Sequence, residues 1–268
     1  MNDNLVFVKL GGSLITDKRT RATPHKSVIS RMANEIRSAQ AKDKSLRIVM
    51  GHGSGSFGHW EANRYDTRHG VRTPEQWQGM AKVAAAAARL NRIVVDAFLK
   101  AGVSVLSLQP SAFVQADKGQ IAGFPEDTLR RALAAGLIPL IYGDVAFDRS
   151  WGATILSTED LFFHLTEQMP PSRILLLGNA PGVMNSGDHT LIPVITPDTY
   201  PEVEKHLRGP QYPDVTGGMA DKVKQMVNLV KRIAGLQVWI LTGNEPGNLE
   251  QALLHPENTP GTRITESN

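Results

Sequence analysis

Apolar residues along the chain gather in short runs rich in valine and isoleucine, and longer amphipathic stretches separate these runs. Runs of this length and composition predict strands that are buried on both faces of a sheet. Several of them end at a glycine. The predicted strands are Leu5–Leu10, Leu46–Met50, Val103–Leu108, Ile138–Tyr142, Arg173–Leu177 and Val238–Leu241.

Between the strands, apolar positions recur with the spacing of a helix, and the longest such stretch contains VAAAAARLNRIVVDAFLK. Helices are predicted at about 28–41, 75–101, 126–135, 159–168, 198–207 and 219–234. The alternation of strand and helix predicts an α/β fold with a mostly parallel sheet and helices on both faces. Ligands of such sheets bind beyond the carboxyl ends of the strands, where the glycine-rich loops of this chain lie.

Composition narrows the class of protein. The 268 residues are 41% apolar and 21% charged, so we expect one globular domain over 1–268, with a soft division near residue 170. A net charge of +3 with scattered basic residues argues against nucleic-acid binding. The absence of cysteine excludes disulfides, thiolate catalysis and cysteine-ligated zinc. Without a membrane-spanning run or a signal-peptide pattern, we expect a soluble, cytoplasmic protein.

The first predicted strand ends in VKLGGS, where Lys9 precedes Gly11, Gly12 and Ser13, and Lys18 follows shortly after. A strand that ends in Gly-Gly-Ser exposes consecutive backbone N–H groups that can surround phosphate oxygens. A simple turn with a surface lysine would have the same sequence. The second lysine favours phosphate binding, because two cations beside one glycine loop suit the transfer of a highly charged group.

The second predicted strand runs into GHGSGSFGH, in which Gly53, Gly55 and Gly58 fit the dinucleotide-binding spacing G-x-G-x-x-G. That spacing is weak evidence, since any loop that brings backbone N–H groups to an anion uses similar glycines. The next segment, WEANRYDTRHG, is polar and broken, and a helix is predicted only from about Pro74. A dinucleotide-binding turn leads directly into a helix, so we favour a second phosphate cradle over an NAD site.

Two histidines, His52 and His59, flank the second glycine loop. His59 follows a run of glycines that leaves its side chain little to pack against, and it lies beyond the turn. There it can point back and donate a hydrogen bond to an anion that the loop holds. We therefore favour His59 over His52 as the functional histidine, although a lone histidine is more often structural.

Three further segments carry polar residues after apolar runs: YGDV at 142–145, STED at 157–160 and DVTGGMADK at 214–222. The third places glycines before Lys222 at the opening of a helix, where the helix N-terminus and the lysine would both face polyphosphate. A loop with a solvated lysine is the alternative. Asp144 and Asp160 either orient lysines or nucleotide, or are ordinary turn and helix-N-terminal carboxylates.

Taken in order, KLGGS with Lys18, GSGSFGH, YGDVAFD and DVTGGMADK resemble the amino acid kinase superfamily. The histidine that ends GSFGH is similar to that of its isopentenyl phosphate kinase branch. This resemblance runs from Leu5 to the closing GTRI. It implies an open αβα sandwich, ATP with Mg²⁺, and transfer of the γ-phosphoryl group to isopentenyl phosphate, giving isopentenyl diphosphate. It also implies a homodimer, with an acceptor-binding half over about 1–170 and a nucleotide-binding half over about 171–268.

The resemblance implies roles for individual residues as well. No residue of the chain is predicted to be a ligand of the Mg²⁺ ion. The catalytic residues would be Lys9, Lys18 and His59, and the acceptor contacts Ser54, His59 and Thr158. Asp144 and Asp160, which their own segments suggest, are predicted as supporting carboxylates. The ATP contacts would be Lys9, Gly11, Gly12, Ser13, Gly55, Asn179, Gly218 and Lys222. Two segments depart from the family pattern: STED stands where S-G-D-D is usual, and GNAPG at 178–182 stands where T-D-V-D-G is usual.

A phosphate acceptor would account for the lack of an H-R-D-type catalytic aspartate, because a phosphate monoester with its second pKa near 6 is already mostly ionised. Kinases of a carboxylate, a carbamate or a phosphonate, and a nucleotide-binding regulator without turnover, are the alternatives. The apolar tail of the acceptor needs its own pocket. Met80, Val83, Ala84 and Ala87 form one helical stripe, which either packs on the sheet or lines that pocket.

Overall fold

The computed structural model describes residues 2–65, 67–207 and 218–267, and this part of the chain forms twelve strands and nine α-helices. The strands are β1 (Asn2–Leu10), β2 (Arg47–His52), β3 (Val105–Ser107), β4 (Gln115–Asp117), β5 (Gln120–Gly123), β6 (Ile138–Tyr142), β7 (Asp144–Asp148), β8 (Gly152–Leu156), β9 (Pro171–Gly178), β10 (Val194–Ile195), β11 (Gln237–Thr242) and β12 (Thr262–Ile264). The helices are α1 (Gly12–Ile15), α2 (Lys26–Lys42), α3 (Gly55–Tyr65), α4 (Pro74–Lys100), α5 (Asp127–Ala134), α6 (Thr158–Gln168), α7 (Tyr200–Leu207), α8 (Gly218–Arg232) and α9 (Asn248–Leu254).

The main sheet has eight strands in the order β10-β12-β11-β9-β1-β2-β6-β3. Neighbouring strands are parallel except for β11 and β12, which are antiparallel. Strand β1 lies between β2 and β9, with Val6 opposite Ile48 on one side and Arg173 on the other. The prediction of a mostly parallel α/β sheet is confirmed. Because β9 follows residue 170, the pairing of β1 with β9 joins strands from both predicted halves.

Alternate side chains of β1 enter two different cores, one on each face of the main sheet. Val6 and Val8 belong to a buried cluster with residues of α2, α4 and α9. Leu5 and Phe7 belong to another, with residues of α6 and α8. A strand buried on both faces needs apolar residues at nearly every position, which explains the continuous run in the sequence. The predicted αβα sandwich is thereby confirmed.

A second sheet, of four strands in the order β5-β4-β7-β8, lies outside the predicted strands. Its strands are three to five residues long, and some carry more polar than apolar residues, as in the QAD of β4. Such segments contain no apolar run that would predict a strand. The hairpin of β7 and β8 packs against α4 through a small core of Val71, Met80, Val83, Val145 and Ala153.

Helix α3 corrects the prediction that the segment after the second glycine loop is polar and broken. The helix begins inside that loop, at Gly55, and runs to Tyr65. It lies close along α4, where a side chain on Gly79 would collide with Tyr65. Tertiary packing therefore stabilises a helix that its weak amphipathic pattern does not predict. A helix thus follows the second glycine loop directly, as it would at a dinucleotide site, and the prediction that no helix follows this loop is wrong.

The predicted helices otherwise appear near their expected positions. The longest, α4, begins at Pro74 behind a capping box in which Thr73 and Gln76 bond to each other's backbone N–H groups. Helix α9, with seven residues, was not predicted. Among the described residues, no helix is both long and apolar enough to cross a membrane.

Candidate active site

A cavity of about 740 Å³ opens where β1, β2 and β9 end and where α3, α6 and α8 begin. Residues from both predicted halves line it, as expected for the carboxyl edge of a parallel sheet. Gly55 and Asp160 are candidate residues that do not line the cavity. Those that do are Lys9, Gly11, Gly12, Ser13, Lys18, Ser54, His59, Asp144, Thr158, Asn179, Gly218 and Lys222.

The two glycine loops lie back to back on one side of this cavity. A Cβ on Gly12 would come within 2.6 Å of the Gly55 nitrogen, and a Cβ on Gly53 within 2.9 Å of the Gly12 nitrogen. Gly55 also has φ of +49°, which side chains disfavour. The Thr16 hydroxyl donates to the Gly12 carbonyl at 2.7 Å and accepts from the Ser56 N–H at 2.9 Å. Gly55 is thus a structural contact between two loops that present their backbone to the cavity.

Lys9, Glu159 and Lys222 form a charged group in the cavity. The Glu159 Oε1 lies 2.9 Å from the Lys9 Nζ and 3.9 Å from the Lys222 Nζ. Burial acts to raise the pKa of Glu159, but the two lysine ammoniums outweigh it and hold the pKa below its usual range. One carboxylate therefore holds lysines from the first strand and from α8 side by side.

The start of α6 places the STED segment. Ser157 and Asp160 form a capping box, and Asp160 Oδ1 also accepts from the Gln225 side chain at 3.2 Å. Asp160 is therefore a helix-capping carboxylate that does not line the cavity. Thr158 does line the cavity, but its hydroxyl donates to the His52 carbonyl at 2.6 Å. Glu159, between them, is the residue of this segment whose carboxylate pairs with the lysines.

The two histidines of the second loop have different surroundings. His52 is fully buried, stacks on Tyr142, and bonds through Nδ1 to the Gly53 carbonyl and through Nε2 to Asn91. Both bonds suit a neutral ring that carries its proton on Nδ1. Burial lowers the pKa of His52 to about 4. His59 lines the cavity instead, so of the two it is the one that can reach a bound ligand.

Asp144 lines the cavity at the end of β6 and is almost completely buried. Burial raises its pKa above the ordinary value, although hydrogen bonds from Ser111 and Val145 partly oppose this. Its carboxylate accepts the Ser111 N–H at 3.2 Å and the Val145 N–H at 2.8 Å. The first bond ties the start of β7 to the short turn at Pro110–Ala112, and the second stays within β7, so Asp144 supports the structure beside the cavity.

Asn179 joins the loop after β9 to the first glycine loop. Its Nδ2 donates to the Ser13 carbonyl at 3.0 Å, and its own carbonyl accepts from Asn244 Nδ2 at 3.4 Å. With Nδ2 engaged by Ser13, the amide oxygen is the group that Asn179 has left to offer as an acceptor. It replaces an acidic residue of the family pattern with a neutral one.

Apolar side chains that belong to or pack against the small core of α4 and the β7–β8 hairpin line part of the cavity. Ala62 of α3, Val83 of α4 and Ile155 of β8 line it. Met80 is not among the lining residues and packs in the small core behind them, while Ala87 belongs to a main core. The predicted helical stripe is therefore divided between pocket and core, and Val83 is its member in the pocket.

Other lining residues escape sequence reasoning. Glu159 has a visible signal in the sequence, because it occupies an acidic position of STED between the two candidates Thr158 and Asp160. Arg68 and Asn63 also line the cavity. They lie in the segment between the second loop and α4, where no motif marks them. The part of DVTGGMADK at 214–217 lies outside the described residues, whereas Gly218 and Lys222 line the cavity.

Comparison with known proteins decides the family. Residues 4–242 match the model of the amino acid kinase family. The chain belongs to the amino acid kinase family. It is 34% identical to isopentenyl phosphate kinase of Methanothermobacter thermautotrophicus, over 97% of this chain and 99% of that protein. It is 33% identical to isopentenyl phosphate kinase of Haloferax volcanii, over 92% of this chain and 98% of that protein.

Solved structures give the same result. The chain superimposes on X-ray structures of isopentenyl phosphate kinase with a TM-score of 0.81 and 30% identity, covering 97% of this chain and 100% of the other. The resemblance seen in the ordered motifs is confirmed, and the chain is a phosphotransferase. The G-x-G-x-x-G spacing belongs to a kinase loop, so the dinucleotide interpretation is set aside.

Proposed function

We propose that this enzyme transfers the γ-phosphoryl group of ATP to isopentenyl phosphate, producing isopentenyl diphosphate and ADP for isoprenoid biosynthesis. One observation carries the proposal: a single cavity is lined by three lysines and two glycine loops and also by the apolar side chains of Ala62, Val83 and Ile155. A phosphate donor and a phosphorylated hydrocarbon need these two environments side by side. The names of its relatives support the same acceptor.

For the nucleotide, we propose the first glycine loop together with the half of the chain after residue 170. Gly12 and Ser13 would offer backbone N–H groups, beside Gly11, whose own N–H donates to the Leu177 carbonyl at 2.8 Å. Gly218 and Lys222 add a helix N-terminus and a cation. Lys9 would contact the same phosphates. Asn179 would offer its amide oxygen to the nucleotide, where an acidic residue would repel the phosphates more strongly.

Mg²⁺ is expected to arrive with the nucleotide. Among the described residues, no group of three histidine or acidic side chains is arranged to hold a metal ion. Magnesium often keeps its waters and binds substrate phosphates with few protein ligands, so the lack of a protein cage here is compatible with that expectation. We assign no step of the reaction to the ion.

The acceptor phosphate is assigned to the half before residue 170, at the second glycine loop. Ser54 and His59 line the cavity there, at the start of α3. The helix N-terminus attracts the phosphate dianion, and a hydrogen bond from His59 would hold one of its oxygens. The tail would lie against Ala62, Val83 and Ile155.

The chemical step then needs position and charge more than proton transfer. An oxygen of the acceptor phosphate bonds to the γ-phosphorus while the bond from that phosphorus to the β–γ bridging oxygen breaks, and ADP leaves with the electron pair. The attacking oxygen is already ionised, so no base has to remove a proton. We assign Lys18 the developing charge of the moving group, and Lys9 and Lys222 the charge of the donor.

A coupled ADP-release assay tests this function. Purified enzyme with ATP should release ADP when isopentenyl phosphate is added, and phosphorus NMR should detect the diphosphate product. A carboxylate, a carbamate and a phosphonate serve as competing acceptors. A higher kcat/KM for any of these would overturn the proposed acceptor, and ADP release without any acceptor would indicate hydrolysis instead of transfer.

We also propose a homodimer. Strand β3 lies at an edge of the main sheet, and its Leu106 and the Leu99 of α4 are exposed large apolar side chains. An edge strand next to apolar side chains favours pairing with a second copy. Light scattering of the purified protein measures the mass. Twice the 29.2 kDa of the chain would support the dimer, and 29.2 kDa would contradict it.

A further inference from the structure

Lys18 lies on a loop between α1 and α2 that folds back on itself. Thr16 and Pro24 form an antiparallel bridge at its base, and the Asp17 N–H donates to the Thr23 carbonyl at 2.9 Å. These bonds close the base of the loop. They do not determine where its tip, with Lys18, lies relative to the acceptor side of the cavity.

Three contacts between helix α3 and this loop bear on the position of its tip. The Thr16 hydroxyl accepts from the Ser56 N–H at 2.9 Å, and the Ser56 carbonyl accepts from the Ala22 N–H at 3.3 Å. The third contact, nearest the far side of the loop, is an ion pair between Arg21 and Glu61. Ala22 has φ of +53°, a left-handed conformation that an alanine adopts only when its surroundings enforce it.

The two partners of the ion pair are unequally buried. The Glu61 side chain is 6% exposed, whereas the Arg21 side chain is 59% exposed. A buried carboxylate is costly unless a cation and hydrogen bonds compensate it, so Glu61 holds the arginine against the helix. Glu61 lies on α3 two positions after His59. Neither Arg21 nor Glu61 lines the cavity, so neither is placed to touch a ligand directly.

We propose that Arg21 and Glu61 are positioning residues that set Lys18 against the acceptor phosphate held near His59. This inference rests on the proposed function for the roles of Lys18 and His59. The helix that carries His59 also fixes, through Glu61, the loop that carries Lys18. The cation that meets the moving phosphoryl group and the group that holds the acceptor thus move as one unit.

Loss of the pair should affect turnover more than binding. The residues proposed to contact the nucleotide lie on the first glycine loop and α8, and those proposed to contact the acceptor lie at the start of α3, so KM for both substrates should change little. A displaced Lys18 would stabilise the transition state of phosphoryl transfer less well, so kcat would fall. Misplacement of a catalytic group by about 1 Å lowers rates by tenfold or more.

A double-mutant cycle tests the proposal in the full-length enzyme. Arg21→Met is made in the wild type and in Lys18→Met, and kcat and both KM values are measured with ATP and isopentenyl phosphate. In the wild type we expect kcat to fall by about tenfold with each KM within about twofold. In the Lys18→Met background we expect Arg21→Met to change kcat by less than about twofold, because the residue it positions is already gone.

Three controls accompany the cycle. Arg232→Met removes a similarly exposed arginine that pairs with Glu167 on another face, and it should leave kcat unchanged. Arg21→Lys should restore part of the lost kcat. Glu61→Gln should reproduce the Arg21→Met profile, and circular dichroism with a thermal melt establishes that each variant is folded.

The outcomes separate this inference from the proposed function. Wild-type enzyme that does not phosphorylate isopentenyl phosphate refutes the function and, with it, this inference. If the wild type is active, an equal fold-loss of kcat from Arg21→Met in both backgrounds would assign the pair a general structural role. An unchanged kcat in folded Arg21→Met and Glu61→Gln would overturn the proposal as well.

Discussion

Replacing Glu159 by glutamine removes the charge that holds two lysines together. Its Oε1 lies 2.9 Å from the Lys9 Nζ and 3.9 Å from the Lys222 Nζ. At an effective dielectric constant of about 20 these pairs gain about 6 and about 4 kcal/mol of Coulomb energy, from which desolvation subtracts. Removing one partner of a buried pair costs roughly 3–5 kcal/mol, so we expect Tm to fall on the order of 10 °C.

The same substitution should increase the stabilisation that ATP provides. Polyphosphate brings negative charge to lysines that Glu159 no longer neutralises, so ATP should raise the Tm of Glu159→Gln by more than that of the wild type. Turnover should fall, because both lysines lose their shared anchor. Differential scanning fluorimetry with and without ATP measures the fall in Tm and the ATP-dependent shift, and the coupled ADP-release assay measures turnover.

Glu167→Gln is the matched control, since Glu167 pairs with Arg232 at the surface and an exposed pair contributes less than about 1 kcal/mol. An unchanged Tm in Glu159→Gln, or a smaller ATP shift than in the wild type, would refute the reasoning. The first result would mean that the charged group does not stabilise the fold. The second would mean that the phosphates do not meet these lysines.

Four further predictions follow from the site. His59→Ala should lower kcat/KM for isopentenyl phosphate by about tenfold, because one charge-assisted hydrogen bond contributes roughly 1.5–3 kcal/mol, and steady-state kinetics with unchanged values would remove His59 from the acceptor site. Lys18→Met should lower kcat far more than ATP affinity, whereas Lys222→Met should weaken ATP binding measured by calorimetry. Val83→Ala should raise kcat/KM for a ten-carbon monophosphate relative to isopentenyl phosphate, since each buried CH₂ is worth about 0.8 kcal/mol, and an unchanged ratio would place the tail elsewhere. The free energy of unfolding should fall as pH drops from about 6.5 towards about 4, because His52 takes up a proton in the unfolded chain but stays neutral in the folded protein. Urea melts across that range should show that the free energy of unfolding depends less steeply on pH in His52→Asn than in the wild type.

The glycine loops could be predicted from the sequence because their function resides in the backbone. Gly12 and Gly53 allow two loops to approach more closely than side chains permit, and we propose that the first of these loops also binds phosphate through its backbone N–H groups. Geometry and chemistry therefore require the same residue type at the same position. A short glycine motif with neighbouring lysines is therefore enough to predict such a loop from the sequence.

Side-chain pairs are harder to predict, because each partner is an ordinary residue in its own segment. Glu159 has the sequence neighbourhood of a helix N-terminus, where an acidic residue is already favoured. Its pairing with Lys9 and Lys222 depends on β1, α6 and α8 meeting at one edge of the sheet. The second sheet cannot be predicted for a related reason. Its short strands carry no apolar run of their own, and they are stabilised by α4 and by each other.

Thr158 illustrates how a departure from a family pattern can be compensated at a distance. The resemblance expects glycine at this position, next to the cavity. The Thr158 methyl group lies where a side chain on Gly51 would collide with it, so the absence of a Cβ in β2 makes room for the threonine. Its hydroxyl donates to the His52 carbonyl at 2.6 Å, in the same strand. The Thr158 hydroxyl thus has a hydrogen-bond partner within the fold, and Gly51 of β2 leaves room for a side chain where the family pattern has glycine.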